Sequence, residues 1–438
     1  MIHSHPPFCR WNLLQVTRGW VLIITPTKSA ALETSTDLRH ASHLTHIPVQ
    51  HVNESTQILS PPLSHAIRVV SARNLLAAFA SHLPAIQDLR LVICDGLEQL
   101  DPCYELALSL LRLATQSSPV RFVGLSASLD DTRDVAKWLS VEDFAIMQFR
   151  PRDRDQLLTI SHQTFTIPNS ASLFKAMAKP AHRAISGGDL GRSALVFVPS
   201  RGQLRSIARD IITQCTLELE TSRGYVPPDV SDDLLVDYAS KFQDPSLIDF
   251  VTKGIGFYHP GLHKEDRVLM LQMFSEGIIR LLMTPKDSCW NVPVRATIVI
   301  VMGTQYVQLE EHSGSRQVKD YTLSELVRMQ SRAVQHSDHG YFYLFCQAEA
   351  LETYSRFLDD GLPLESHLHE SRVLRDWAKS FFAQGDLNRT QLIDVLSFSF
   401  LAQRLTGNPS YYGFSSRNQA ENLSRIVDQL VDDLKIEE

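Results

Sequence analysis

A chain of 438 residues, 44% hydrophobic and 21% charged, is long enough for two or three domains that each bury a core, and too apolar to remain disordered. Its formal net charge of -7 excludes a globally basic nucleic-acid coat while leaving room for a local basic groove. The six cysteines, Cys9, Cys94, Cys103, Cys215, Cys289 and Cys346, show no C-x-x-C spacing, so neither a zinc site nor a disulfide framework is expected and a reducing compartment fits best. No H-x-x-x-H or H-E-x-x-H pair falls on a predicted helix, which leaves the histidines as surface or capping residues and no metal expected. No apolar run approaches the roughly 20 residues that span a bilayer, and "MIHSHPPFCRWNLLQ" lacks the pattern of a secretory signal, so no membrane partner is expected.

Residues 1–19 carry no assignable pattern. From Trp20 onward, "WVLIITP", "IRVVSA", "LRLVICD" and "VRFVGLS" are short continuous apolar runs, each stopping at a small or polar residue. Strands buried on both faces read this way, and helical patterns between them imply a parallel sheet. A charged stretch, "FRPRDRDQ" (149–156), separates these runs from a second series: "ALVFVPS", "GIGFYH", "IRLLMTP", "ATIVIVMG" and "YFYLFCQ". After the first of them, Leu204, Ile207, Ala208, Ile211 and Ile212 fall on one helical face, and Thr322 with Glu325 has capping-box spacing. Two consecutive α/β domains follow as the economical fold. Residues 216–253 interrupt the second with a polar, Pro-containing insertion. After "DGLPLESHLHE" the strands stop; 370–413 reads as two helices and a turn, and the last 23 residues as one amphipathic helix with Leu423, Ile426, Val427, Leu430, Val431 and Leu434 on one side.

The strand ends carry the chemistry. "PTKSAAL" (26–32), "TSTDL" (34–38), "DGLE" (95–98), "LSAS" (125–128), "FVPSR" (197–201), "YHPGLHKEDR" (258–267), "TPKDSCWNVP" (284–293) and "VRMQSRAVQHS" (327–337) resemble, in order, the motifs of superfamily-two helicases, in which nucleotide sits between two RecA-like domains. On this resemblance "TSTDL" is a nucleic-acid-contacting turn. "GLSASLDDTRDVAKWL", "SLFKAMAKPAHRAI", "MGTQYV", "FLDDGLPLESHL" and "RLTGNPSYYG" narrow the resemblance, over about residues 20–438, to the C-terminal helicase cassette of the large tandem-cassette RNA helicase of the spliceosomal tri-snRNP. The tandem-cassette helicase of the activating signal cointegrator complex is the nearest alternative. The resemblance implies a partial first RecA-like domain at 20–150, a linker at 151–165, a second RecA-like domain at 166–358, a winged-helix domain at 359–415, and at 416–438 the first helix of a truncated Sec-homology module. The first sheet is then expected to expose an open apolar edge, and the apolar stripe of the last helix to have lost its packing partner.

Three positions depart from the family pattern. No G-x-x-x-x-G-K-[ST] loop occurs in the chain, so the phosphates have no cradle of backbone N–H groups. Gly96 stands where the family places the Glu that orients the attacking water, and phosphoryl transfer is mostly positioning and electrostatics. Gln335 replaces the second arginine of the motif whose first matches Arg332. Asp95 is either a metal-holding remnant or a turn residue, and Glu98 is expected to point elsewhere. Arg332 is either a phosphate contact or, with Arg328, a solvated face. Thr284 and Arg201 are the candidates for holding a nucleic-acid backbone. The expectation is a catalytically inactive cassette without ATP or magnesium. It would act as a protein-interaction and regulatory module in pre-mRNA splicing, located in the nucleus. Its expected partners are spliceosomal proteins and, in full-length relatives, a catalytic cassette on the same polypeptide, with weak or no RNA binding. The alternative is part of an active ATP-dependent RNA helicase that uses ATP and magnesium to unwind duplexes.

Overall fold

The computed structural model describes residues 19–42, 47–80, 83–150, 153, 157–168, 170–187, 192–219, 223–309, 315–333, 339–383 and 388–436. The first sheet has strands β1 (Trp20–Thr25), β2 (Val49–His51), β3 (Ile67–Ser71), β4 (Leu89–Asp95) and β5 (Arg121–Leu125) in the order β2-β3-β1-β4-β5, all parallel. Every residue of β1 and β3 is buried, which is what their uninterrupted Val, Leu and Ile runs require. Ile23 of β1 aligns with Val69 and Ile93 on its two sides, so one layer of side chains crosses the sheet centre. Helices α1 (Lys28–Ser42), α2 (Ala72–Ala78), α3 (Pro102–Ala114) and α4 (Arg133–Trp138) connect the strands. The start of α3 follows from Asp101, whose carboxylate accepts from Tyr104 N at 2.7 Å, and from Pro102 in the first turn. The segment "TSTDL" is helical within α1, with Thr34 and Ser35 buried, and is not the expected turn.

The second sheet contains β6 (Leu158–Phe165), β7 (Ala194–Val198), β8 (Ile255–Phe257), β9 (Leu281–Pro285), β10 (Ile298–Met302) and β13 (Gly340–Gln347) in the order β6-β13-β10-β7-β9-β8. A separate antiparallel pair, β11 (Gln305–Leu309) with β12 (Arg316–Asp320), precedes β13. The 151–165 linker is corrected here: 158–165 is a strand whose eight residues pair with β13 from Gly340 to Gln347. Its polar alternation, "LTISHQTF", reflects an edge position with one face towards solvent. Helices α5 (Ala171–Ser186), α6 (Leu204–Leu219), α7 (Asp232–Ala239), α8 (Lys264–Ser275), α9 (Leu323–Ser331) and α10 (Ala348–Asp360) surround this sheet. On α6, Leu204, Ile207, Ala208 and Ile211 are all buried. Thr322 and Glu325 form the reciprocal capping box at the start of α9, with Thr322 Oγ1 accepting from Glu325 N at 3.3 Å and Glu325 Oε2 accepting from Thr322 N at 2.9 Å.

Residues 360–438 belong to one compact unit with 1–150, and 151–359 form the other. This C-terminal part contributes α11 (Arg372–Ala383), α12 (Arg389–Ser397), α13 (Phe400–Gly407) and α14 (Gln419–Ile436); among the described residues of 360–415 the only β pairing is a bridge between Leu362 and Leu129. The apolar stripe of α14 has its cover inside the chain, contrary to the expectation: Leu423, Ile426, Val427 and Leu430 are buried and α14 packs on α11, α12 and α13. The helices seat on α3 through the buried Glu105. Its carboxyl oxygens accept from Leu401 N and Ser366 Oγ, both at 2.7 Å, which satisfies an amide at the N-terminus of α13. Trp138 Nε1 and Trp377 Nε1 add bonds to the carbonyls of Phe398 and Phe79.

Burial raises the Glu105 pKa from 4.5 to about 7 despite those hydrogen bonds. A raised carboxyl pKa means that the folded state holds a proton the unfolded state has released. Its stabilisation is therefore complete below pH 4.5 and disappears as pH rises through about 7. Urea midpoints measured across that window should fall with pH for the wild-type chain more steeply than for Glu105→Gln; equal slopes would show that the carboxyl does not titrate there.

Candidate functional site

In the first unit the two motif-bearing strands end side by side, Asp95 of β4 aligned with Leu125 of β5. Gly96 follows at φ 70°, and a side chain there would bring its Cβ within 3.2 Å of the Pro26 ring. Both the left-handed backbone and the Pro26 contact favour glycine at this point. The turn then makes one 3-10 step over Leu97–Gln99, which aims Glu98 at the neighbouring strand end. Glu98 Oε2 accepts from Ala127 N at 2.9 Å and from Ser126 Oγ at 3.2 Å, while Oε1 accepts from Gln99 Nε2 at 3.2 Å. The expectation that Glu98 points away is refined into a specific latch between "DGLE" and "LSAS". Ser128, the last residue of the latter, accepts from Leu362 N at 2.8 Å, so the same turn is tied to the C-terminal part. Below it, the buried Tyr104 hydroxyl lies 3.0 Å from the carbonyls of Ile24 and Asp95 and pins the ends of β1 and β4.

The Asp95 carboxylate stands without a second acid at position 96, and both oxygens of Glu98 are engaged within the protein. No cluster of three or more His, Cys, Asp or Glu suited to a metal ion occurs among the described residues. Thr27 Oγ1 accepts from Ala30 N at 3.2 Å near the start of α1, so "PTKSA" serves as a helix cap.

In the second unit, basic side chains gather beyond the C-terminal ends of β7, β8 and β9. Arg201 follows β7, is exposed, and its guanidinium fills the space a side chain at Gly261 would need. Burial first, then the charges of Arg201, Arg205 and Arg267, hold His259 down at about 4, and its buried Nδ1 makes no hydrogen bond. Arg205 is partly neutralised by Asp244 at 3.1 Å. Thr284 is fully buried and donates to the Tyr258 carbonyl at 2.8 Å, so it shapes the turn from within and presents no hydroxyl at the surface. Lys286, two residues on, is also buried; its ammonium sits 2.9 Å from Glu325, 2.8 Å from Asp287 and 3.9 Å from the Tyr306 ring centroid. Sequence patterns gave no sign of this closed set, because its members come from three separate elements.

Arg332, at the end of α9, is 3% exposed, which corrects the solvated-face reading. Its charge reaches Tyr258 and Cys289. Gln335 lies outside the described residues.

No family model matches the chain. It is 28% identical to the U5 small nuclear ribonucleoprotein 200 kDa helicase of Homo sapiens over 97% of its own length and 20% of that protein. It is 30% identical to a DExH-box ATP-dependent RNA helicase of Arabidopsis thaliana over 80% of the chain and 16% of the relative. The same figures hold for the pre-mRNA-splicing factor brr2 of Schizosaccharomyces pombe. The chain thus spans about one-fifth of the relatives it matches. With two RecA-like parallel-sheet domains and a helical C-terminal part, the chain is homologous, at 28–30% identity over 80–97% of its length, to one stretch of the U5 small nuclear ribonucleoprotein 200 kDa helicases and the splicing factor brr2.

Proposed function

We propose that this chain is a catalytically inactive helicase cassette that acts as a protein-interaction and regulatory module in pre-mRNA splicing, in the nucleus. The observation that carries the reading is the turn after β4: its backbone is left-handed at Gly96, where hydrolysis needs a water-orienting acid, and its remaining acid Glu98 is latched to Ser126 and Ala127. What remains is two α/β units, each with its own packed sheet, the first with a helical part bonded into it, and each offers a folded surface suited to docking. The partners would be spliceosomal proteins, since relatives are named as parts of the U5 small nuclear ribonucleoprotein, and a catalytic cassette of the same polypeptide in full-length relatives.

A second reading, an ATP-dependent helicase fragment that grips RNA, draws on one observation, the basic group of Arg201, Arg205 and Arg267 around His259. The two readings separate by salt. Contacts to phosphates release counterions and weaken steeply as salt rises, whereas an apolar protein interface does not. The expected result is retention of U5 proteins from nuclear extract that changes little between low and physiological salt. Fluorescence titration with single-stranded RNA should give a Kd weaker than about micromolar and strongly salt-dependent. Tight, salt-resistant RNA binding with no splicing protein retained would favour the second reading.

A further inference from the structure

The basic group of the second unit includes an acid, and the fold holds it there. Arg201 and Arg205 lie where β7 leads into α6, Arg267 is in the first turn of α8, and the charges of all three reach the buried imidazole of His259. Asp244 enters this group from the polar insertion that precedes β8. Its Oδ2 accepts from Arg205 Nη2 at 3.1 Å, and its Oδ1 accepts from Ser246 N at 3.0 Å and from Ser246 Oγ. Arg205 Nη2 also donates to Ser246 Oγ at 2.7 Å, so one side of the guanidinium is closed by two oxygens, much as a phosphate would close it. Two long side chains that merely meet at a surface lose freedom in pairing and gain little. Asp244 is different, because its backbone is fixed by a carboxylate from inside the unit. Asp266, in the first turn of α8, is fully buried and accepts from Gln243 N at 2.9 Å and from Asp244 N at 3.2 Å. Asp244 in turn caps the 3-10 turn Pro245–Leu247, so little side-chain freedom is left to lose in holding its charge beside Arg205. The Ser246 hydroxyl first, then the Ser246 amide and Arg205, keep the Asp244 carboxyl below the usual range, and the negative charge is present near neutral pH.

We propose that Asp244 is a built-in counterion that takes the place of a backbone phosphate at Arg205 and so weakens the binding of single-stranded RNA by this basic group. The inference rests on the docking module proposed above, whose RNA binding is weak, and gives that weakness a cause. Three guanidinium groups gathered at strand ends would otherwise favour a run of phosphates, because each phosphate neutralised releases counterions. A fixed acid opposes this in two ways. It takes up the fork of Arg205, and its charge repels a phosphate brought to the neighbouring arginines. Asp266 contributes without touching a ligand: it is a positioning residue that sets where the Asp244 backbone stands.

The test is fluorescence anisotropy of the full chain with a labelled oligouridylate of about 12 nucleotides, a usual span for a single-strand site. Asp244→Asn keeps an acceptor for the Ser246 amide and removes only the charge. At about 50 mM salt it should tighten the Kd at least about fivefold, and it should steepen the dependence of log Kd on log salt by about 0.7, the value for one added phosphate contact on a single strand. Asp244→Ser, which also keeps a capping oxygen, should show the same gain. Asp232→Asn makes the same charge change at the start of α7, where Asp232 pairs with Arg223 at 2.9 Å instead, and should alter the Kd by less than about twofold. Adding Arg205→Gln to Asp244→Asn should return the Kd to the wild-type value or weaker. Because variants of one chain are compared, the result reads Asp244 whether or not the wild-type chain proves to be a docking module. An unchanged Kd in both Asp244 variants, an equal gain in Asp232→Asn, or a gain that survives the loss of Arg205 would each overturn the proposal.

Discussion

Phosphate release from ATP by the purified chain, with magnesium and single-stranded RNA present, is expected to match the blank. Catalysis of phosphoryl transfer rests on groups that hold the phosphates, orient the water and neutralise developing charge. The chain has no phosphate loop, glycine at position 96, and glutamine at position 335 in place of the second arginine. The loss at position 96 is built into the backbone. At φ 70° a glutamate would cost about 1–2 kcal/mol in left-handed strain, with its Cβ against Pro26. Gly96→Glu combined with Gln335→Arg is therefore expected to lower stability and to leave hydrolysis at background, since neither change supplies the loop. A turnover of about one per second in either protein, within the ordinary enzyme range, would refute the inactive reading.

The largest expected loss of stability comes from Arg404→Ala. Arg404 donates to Glu365 through Nε at 2.9 Å and Nη2 at 2.5 Å, and through Nη1 to Asp134 of α4; all three side chains are between 15% and 18% exposed. Glu365 also accepts from Asn408 Nδ2 at 2.8 Å and the Tyr412 hydroxyl at 2.9 Å, so the fork of one arginine organises the C-terminal helices against the first sheet domain. Removing it leaves two largely desolvated carboxylates without their cation, and about 3–5 kcal/mol is the usual loss for a broken pair of this kind. Arg404→Lys should recover only part, because an ammonium cannot make the paired fork and reach Asp134 together. Arg389→Ala, which removes an ion pair to Asp428 whose side chains are 49% and 53% exposed, should cost much less, because solvent screens an exposed pair. Urea unfolding followed by circular dichroism compares the three variants; an Arg404→Ala loss no greater than that of Arg389→Ala would remove the network from the account of stability.

The element types were legible in the sequence because their signals are local. A strand buried on both faces must be apolar at every position, as β1 is, and a helix start must satisfy its first amides, as Thr322 and Glu325 do. The resemblance in "LPLESHL" and "NPSYYG" pointed to the relatives that the chain matches, and the structure gives the pairing its chemistry: Glu365 accepts from Asn408 and Tyr412, and Ser366 N donates to Tyr412. Other features were decided only in three dimensions. The polar strand β6 needed β13, some 180 residues away, before its alternation could be told from a linker. The stripe of α14 looked uncovered because α11, α12 and α13 are its cover only after the chain folds back. Gly96 could be seen as a missing acid, but whether that backbone could accept one depended on Pro26 and on a φ angle. The destiny of Glu98 likewise depended on where the next strand ended, since a carboxylate is held by whichever donors surround it, and the Ser126 hydroxyl and the Ala127 amide become its neighbours only through the pairing of β4 with β5.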